Sequence, residues 1–355
     1  MSDLTKFDAW LRDGGPAALV IRENLMPVEG HDGILFPATF AAGDKFPGGY
    51  NVDGDPNGRN VCLIDSVGSQ ANRIEPLFAR DRYAALVPQV VVKAGEKEVN
   101  LLEAGHRAGD AIVRCSALQK ELQDAFKAVL KGNAQPLAKI APTSLVFGVW
   151  DSRDTQAKLP RLVASTVRAY DVRKLTRSAQ YVPATEYIAS ELLEDTADKK
   201  VRDAYAERGF IHVPASGSHG GVIATGGIRR DATLSLAALR LLAAGQDQNN
   251  TLALRRYVLG LALTAFTQLP SGYLRQGCTL VIDPDKPREF VEVHGDGRRV
   301  PASVTHDDAV SFATAAAKAF GVGESRTVAF DTELAKKDIK GEATNGDKPA
   351  KKSRK

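Results

Sequence analysis

Residues 62–75 read CLIDSVGSQANRIE. Ser66, Ser69, Gln70 and Asn72 offer neutral hydrogen-bonding groups and Arg73 a fixed positive charge, while Cys62, Leu63, Ile64 and Ile74 have the character of core. Neutral donors beside one guanidinium either satisfy the local backbone or present hydrogen bonds to a polar partner. The same residue types also cap helices: Asp65 and Ser66 are good N-caps, and Ile74, Leu77 and Phe78 form a helical stripe. For Ser66 both readings stand.

A second candidate set lies between Trp150 and Gln180, where Arg153, Lys158, Arg161, Arg168, Arg173, Lys174 and Arg177 face Asp151, Asp154 and Asp171, a local net of +4. Guanidinium and ammonium groups pair with phosphate oxygens and release counterions. A solvated ionic face is the simpler reading of the charge alone. Glycine-rich stretches at 43–60 and 216–230 could bring backbone N–H groups close to an anion. Neither contains GxxxxGK[ST] or GxGxxG, so nucleotide-enzyme motifs fail. The six histidines are scattered without metal-ligand spacing. Ser218 and His219 are adjacent, which rarely aims two side chains at each other, and there is no GxSxG elbow. Asp44, Asp53 and Asp55 lie on the Gly-rich loop and could hold a metal for phosphodiester cleavage, although turn chemistry is the simpler reading. No catalytic residue, metal ligand or cofactor is assigned.

The elements that must position these groups read as follows. After a short opening helix, PAALVIRENL is a first strand, and GDKFPGGYNVDGDPNGRN a long loop of the kind that is usually functional. A helix starts near Asp65 or Ser66. VPQVVVKAGEKEVNLLEA is a hairpin turning at Ala94 to Lys97, followed by one or two helices up to Gly132 and Asn133. SLVFGVW at 144–150 reads as a buried strand, LVASTVRAYDV as another, and a charged helical segment lies near 190–208. Helices follow in TLSLAALRLLAAG and NNTLALRRYVLGLALTAFTQL, then a hairpin in CTLVIDPDKPREFVEV and a last helix in SVTHDDAVSFATAAAKAF. Hairpins and helices without regular βαβ alternation favour α+β over a doubly wound sheet.

With 355 residues and 43% hydrophobic residues the chain can bury a sizeable core. It shows neither a membrane-spanning apolar run nor a secretory leader, which predicts a cytoplasmic protein. Cys62, Cys115 and Cys278 are too widely separated for a CxxC pair and read as buried free thiols. Residues 335–355 hold eight Lys or Arg against three Asp or Glu, so the net +4 conceals a body of residues 1–334 that is nearly neutral. The tail's composition predicts disorder.

As one ordered set, CLIDSVGSQANRIE, HRAGDAIVRCS, FGVWDSRDTQAKLPRLVASTVRAYDV, RSAQYVPATEY, GGVIATGGIRRDATLSLAALRLL and YLRQGCTLVI resemble the backbone subunit of the type I-G (formerly I-U) CRISPR surveillance complex, a member of the RAMP superfamily. The resemblance runs from about residue 17 to 330. It implies a modified RNA-recognition-motif (ferredoxin-like) palm with finger and thumb insertions. It also implies copies stacked along one CRISPR guide RNA, presenting it to a target DNA strand, with other surveillance-complex subunits and a helicase-nuclease as partners. RNA contact would fall on Ser69, Gln70, Asn72 and Arg73, on Arg153, Lys158, Arg161 and Arg168 of a basic palm segment, and on His219, Arg229 and Arg230 of a clasp. The aromatic pairs of ordinary RNA-recognition domains are missing. Two further hypotheses remain open here: a metal-dependent RNA-processing nuclease of the same superfamily, and a metabolic enzyme whose Gly-rich loops hold an anionic substrate.

Overall fold

The computed structural model describes residues 4–55, 58–269 and 272–340. A short helix, α1 (Asp8–Leu11), precedes strand β1 (Ala18–Pro27), in which Leu19, Ile21 and Leu25 alternate inward and Arg22 points out. The long loop that follows is ordered by short pairings, Thr39–Phe40 with Gly49–Tyr50 and Val52–Gly54 with β2 (Asn60–Asp65). Helix α2 (Val67–Ile74) begins as the sequence predicts, with Ser66 Oγ accepting from the Ser69 N–H at 3.2 Å. The expected hairpin is β3 (Val90–Ala94) with β4 (Lys97–Asn100).

Three helices, α3 (Gln119–Leu130), α4 (Gln135–Ile140) and α5 (Thr143–Phe147), then lead to the paired strands β5 (Val149–Trp150) and β6 (Lys158–Leu159). The stretch read as a single strand, 144–150, is thus a helix followed by a strand. All five residues of α5 are buried, and an all-buried run carries no periodicity to separate helix from strand. Pro142 before it and Gly148 after it, at φ +77°, are the start and stop signals that mark the helix.

The next strands belong to the main sheet and to a separate two-stranded ribbon. They are β7 (Val163–Tyr170), the ribbon β8 (Val172–Tyr181) and β9 (Val213–Ala224) with α6 (Lys199–Glu207) between them, and β10 (Ile228–Ser235). Helix α7 (Gln248–Thr267) leads to β11 (Tyr273–Arg275), β12 (Cys278–Ile282), β13 (Glu289–Val293) and β14 (Arg299–Pro301). Helix α8 (His306–Phe320), strand β15 (Arg326–Ala329) and helix α9 (Thr332–Lys340) follow. β15 joins β3 in parallel. The chain is α+β, with a curled antiparallel sheet in the order β11, β12, β1, β10, β7, β2.

β12 and β13 do not form the expected hairpin with each other. Leu280–Ile282 pairs with Pro27–Leu25, and Glu289–Val293 with Arg22–Ala18, so both run antiparallel along one edge of β1. Between them residues 283–288 loop out. Of the glycine-rich stretch 216–230, residues 216–224 belong to strand β9 and 228–230 to β10, and the ribbon meets the sheet through Asp171 and Gly226-Gly227. α9 continues to Lys340, into the segment read as tail, whereas 341–355 lie outside the described residues.

One face of the sheet is covered by helices. Leu19, Ile21, Val163, Ala232 and Leu234 pack against α7 and α8 in the main core. The helices approach so closely that a Cβ on Gly260 would stand 2.7 Å from the Ala313 Cα. A smaller cluster of Leu25, Cys62, Ile64, Val167, Ile228 and Leu280 lies at the other end of the same face. Buried polar groups sit on this face as well: Glu23, Arg230, Ser165, Gln70 and Asp65.

Candidate functional site

The opening motif is organised around a buried carboxylate. Asp65, with a side chain 0% exposed, accepts from Gln70 Nε2 at 2.7 Å, Arg73 Nε at 3.1 Å and Arg275 Nη2 at 3.2 Å. Gln70 Oε1 in turn accepts from Ser165 Oγ at 2.9 Å. Gln70 is therefore spent on holding α2 to β7 and is not free to present donors, contrary to its expected role. Arg73 is held by one nitrogen while its side chain remains 38% exposed. Arg275, which the sequence reading missed, is fixed to the same carboxylate from across the fold.

Asn72 and Glu75, on and just after α2, engage Arg107. Its Nη2 donates to Asn72 Oδ1 at 3.2 Å, its Nε lies 2.6 Å from Glu75 Oε2, and its guanidinium stands 5.3 Å from the Phe147 ring centroid. Burial pushes the Glu75 carboxyl up to about 7, against the lowering effect of Arg107, and burial likewise lowers Arg107. Arg107 forms one wall of an open groove of about 500 Å³ lined also by His106, Trp150, Lys158 and Arg161. Trp150 and Lys158 are cross-strand partners on β5 and β6. The indole is 58% exposed, and the Lys158 ammonium stands 5.4 Å from its ring centroid. Asp151 ties the connecting turn together, accepting from the Thr155 N–H at 2.8 Å and hydroxyl at 2.6 Å. That leaves Arg153 and Arg161 exposed.

An exposed aromatic face beside exposed cations is what single-stranded nucleic acid uses: a base stacks on the ring while phosphates meet the charges. The sequence reading picked Lys158 and Arg161 but missed Trp150, His106 and Arg107. The available signal was a tryptophan opening a tight Asp-capped turn, with a lysine directly across it.

The other expected residues fall elsewhere. Arg168 and Arg229 are cross-strand neighbours on the sheet face opposite the helices. There Arg229 donates to the Tyr170 hydroxyl at 2.9 Å and to Asp231, while Arg168 donates to Thr166 Oγ1 at 2.7 Å. Arg22, Asp231 and Glu289 continue that face as a network of ion pairs. Ser69 shares a hydroxyl contact of 3.1 Å with Ser66. His219 lies against Tyr50, ring centroids 4.9 Å apart, and closes over Gly49, so it pins the long loop to the ribbon. Arg230 is not on a clasp. Strand alternation turns it inward, where it is 3% exposed and pairs with Glu23 at 2.6 Å; Arg288 approaches the other Glu23 oxygen at 3.2 Å.

Residues 19–174 match the family described as CRISPR-associated protein GSU0053. This stretch carries the signature of a CRISPR-associated family. It holds β1 from Leu19 on, α2 and every residue that lines the groove, and it bears out the CRISPR-associated resemblance read from the sequence. No curated protein matches the sequence. Among the described residues no helix is long and apolar enough to cross a membrane.

Proposed function

We propose that the chain is a non-catalytic backbone subunit that holds a CRISPR guide RNA, several copies lining one guide and presenting it to target DNA. The observation that carries this reading is the groove in which exposed Trp150 stands beside Lys158, Arg161 and Arg107, within the segment that matches the CRISPR-associated family. Backbone contact through cations and stacking on an indole are indifferent to base identity, as a subunit serving many guides requires.

The strand order supports an RNA-recognition-motif palm. Taking β1, β7, β10 and the β12/β13 path as first to fourth, they lie in the order fourth, first, third, second, all antiparallel, with helices on one face. The β8–β9 ribbon, projecting from the turn between the second and third of these strands, takes the place of a thumb, and the long insertions between β1 and β7 that of fingers. The test is coexpression with a CRISPR array, followed by size-exclusion light scattering and the absorbance ratio at 260 and 280 nm, before and after nuclease. An RNA-containing assembly whose mass follows guide length is expected. A monomer free of RNA overturns the proposal.

A further inference from the structure

Outside the groove, the edge of β1 gathers a second set of groups that the guide-binding reading does not use. The 283–288 excursion between β12 and β13 carries Asp283, Asp285 and Lys286, and the loop after β1 carries His31 and Asp32. All five residues line a cavity of about 610 Å³ whose wall includes Gly226-Gly227, where the ribbon meets the sheet. One ligand atom from each of His31, Asp283 and Asp285 lies within 4.8 Å of the other two.

Asp283 is the fixed member. Its side chain is 1% exposed, and its backbone N–H donates to Asn24 O at 2.9 Å, which anchors it to β1. Oδ1 accepts from the Asp285 N–H at 3.1 Å and lies 3.9 Å from His31 Nε2. Oδ2 is buried and makes no hydrogen bond; the Lys286 ammonium stands 3.3 Å away, on a side chain 53% exposed. A half-exposed lysine is a loose counter-ion for a carboxylate that is itself buried. The His31 side chain is 57% exposed and Asp285 is also exposed, so both can close the short distance to a shared ion while Asp283 stays in place.

We propose that His31, Asp283 and Asp285 form a site for a first-row divalent cation of the Mn²⁺ or Zn²⁺ type, with Lys286 as the counter-ion that the metal displaces. One imidazole nitrogen with two carboxylate oxygens suits Zn²⁺, a borderline ion, and Mn²⁺, a harder ion that accepts a mixed nitrogen and oxygen set, better than Mg²⁺ or Ca²⁺, which favour all-oxygen sets, or Cu⁺, which favours sulfur. The ion clamps the loop after β1 to the 283–288 excursion at the foot of the ribbon. The site is independent of the guide-binding reading, since none of its three ligands lies in the groove.

The test uses the full chain, treated with nuclease and EDTA and exchanged into metal-free buffer, then titrated with MnCl₂ while free Mn²⁺ is read by electron paramagnetic resonance. Saturable binding of one Mn²⁺ per chain is expected, competed by ZnCl₂ and weakened at least roughly tenfold by His31→Ala, a surface substitution that leaves folding intact. Lys286→Ala separates a metal site from a plain ion pair: a metal site binds Mn²⁺ more tightly without the lysine, and Mn²⁺ raises the melting temperature of that variant. Three results overturn the proposal: no stoichiometric Mn²⁺ or Zn²⁺ binding through the millimolar range, unchanged affinity in His31→Ala, or a Lys286→Ala variant that Mn²⁺ neither binds more tightly nor stabilises.

Discussion

Replacing Trp150 with alanine isolates the stacking element of the groove. The indole is 58% exposed and contributes little to the core, so stability should change by no more than about 0.5 kcal/mol. If a base stacks on it, single-stranded RNA affinity should fall by about 1–3 kcal/mol, which is roughly 5- to 150-fold. Lys158→Ala removes a phosphate partner, so the slope of log affinity against log salt should become shallower by about 0.7. Because the ammonium stands 5.4 Å from the ring centroid, the two losses should be less than additive in the double variant. The assay is fluorescence anisotropy of labelled RNAs of equal length and different sequence, on nuclease-treated protein at several salt concentrations. A folded Trp150→Ala protein that binds within about twofold of the unaltered chain would refute the reasoning, because twofold is only about 0.4 kcal/mol. So would strong discrimination among the RNAs.

Adjacent arginines on β10 should behave differently: in urea titrations Arg230→Ala should cost about 3 kcal/mol or more by leaving Glu23 short of a buried partner, and Arg229→Ala about 1 kcal/mol or less. RNA affinity of the folded Arg230→Ala fraction should be unchanged. Burial raises the Glu75 carboxyl from 4.5 to about 7, so between those values the folded chain keeps a proton that the unfolded chain has lost. Its contribution to stability is therefore present at low pH and lost as pH rises through that window, by at most about 1.4 kcal/mol per pH unit. The difference between the unaltered chain and Glu75→Gln, measured by denaturation across the window, should show that slope; parallel curves would contradict it. Burial pushes the Cys62 and Cys278 thiols up to about 12 and about 11, so iodoacetamide at about pH 8 should leave both unlabelled in the native protein and label them in urea.

Much of this was legible locally. The alternation of β1, the Ser66 cap, the β3–β4 hairpin and the long helices α7 and α8 follow from residues a few positions apart, since cap geometry and side-chain period are local properties. The CRISPR-associated signature also lay in the order of short motifs. The fate of individual charges did not. Arg229 and Arg230 are neighbours of one type, yet strand register sends one to an open face and the other into a buried pair with Glu23, 207 positions away.

The sequence by itself determined the α+β class, the place of several elements, and which residues carry charge or an aromatic face. Only the tertiary structure decided that Gln70 is consumed by Asp65 and Ser165, that β12 and β13 share β1 instead of each other, and that Trp150 meets Lys158 beside Arg107. It also decided that His31 meets Asp283 across the edge of β1. The physical reason is that pairing register and the burial of polar groups are settled by partners distant in the chain, whose energies no local window contains.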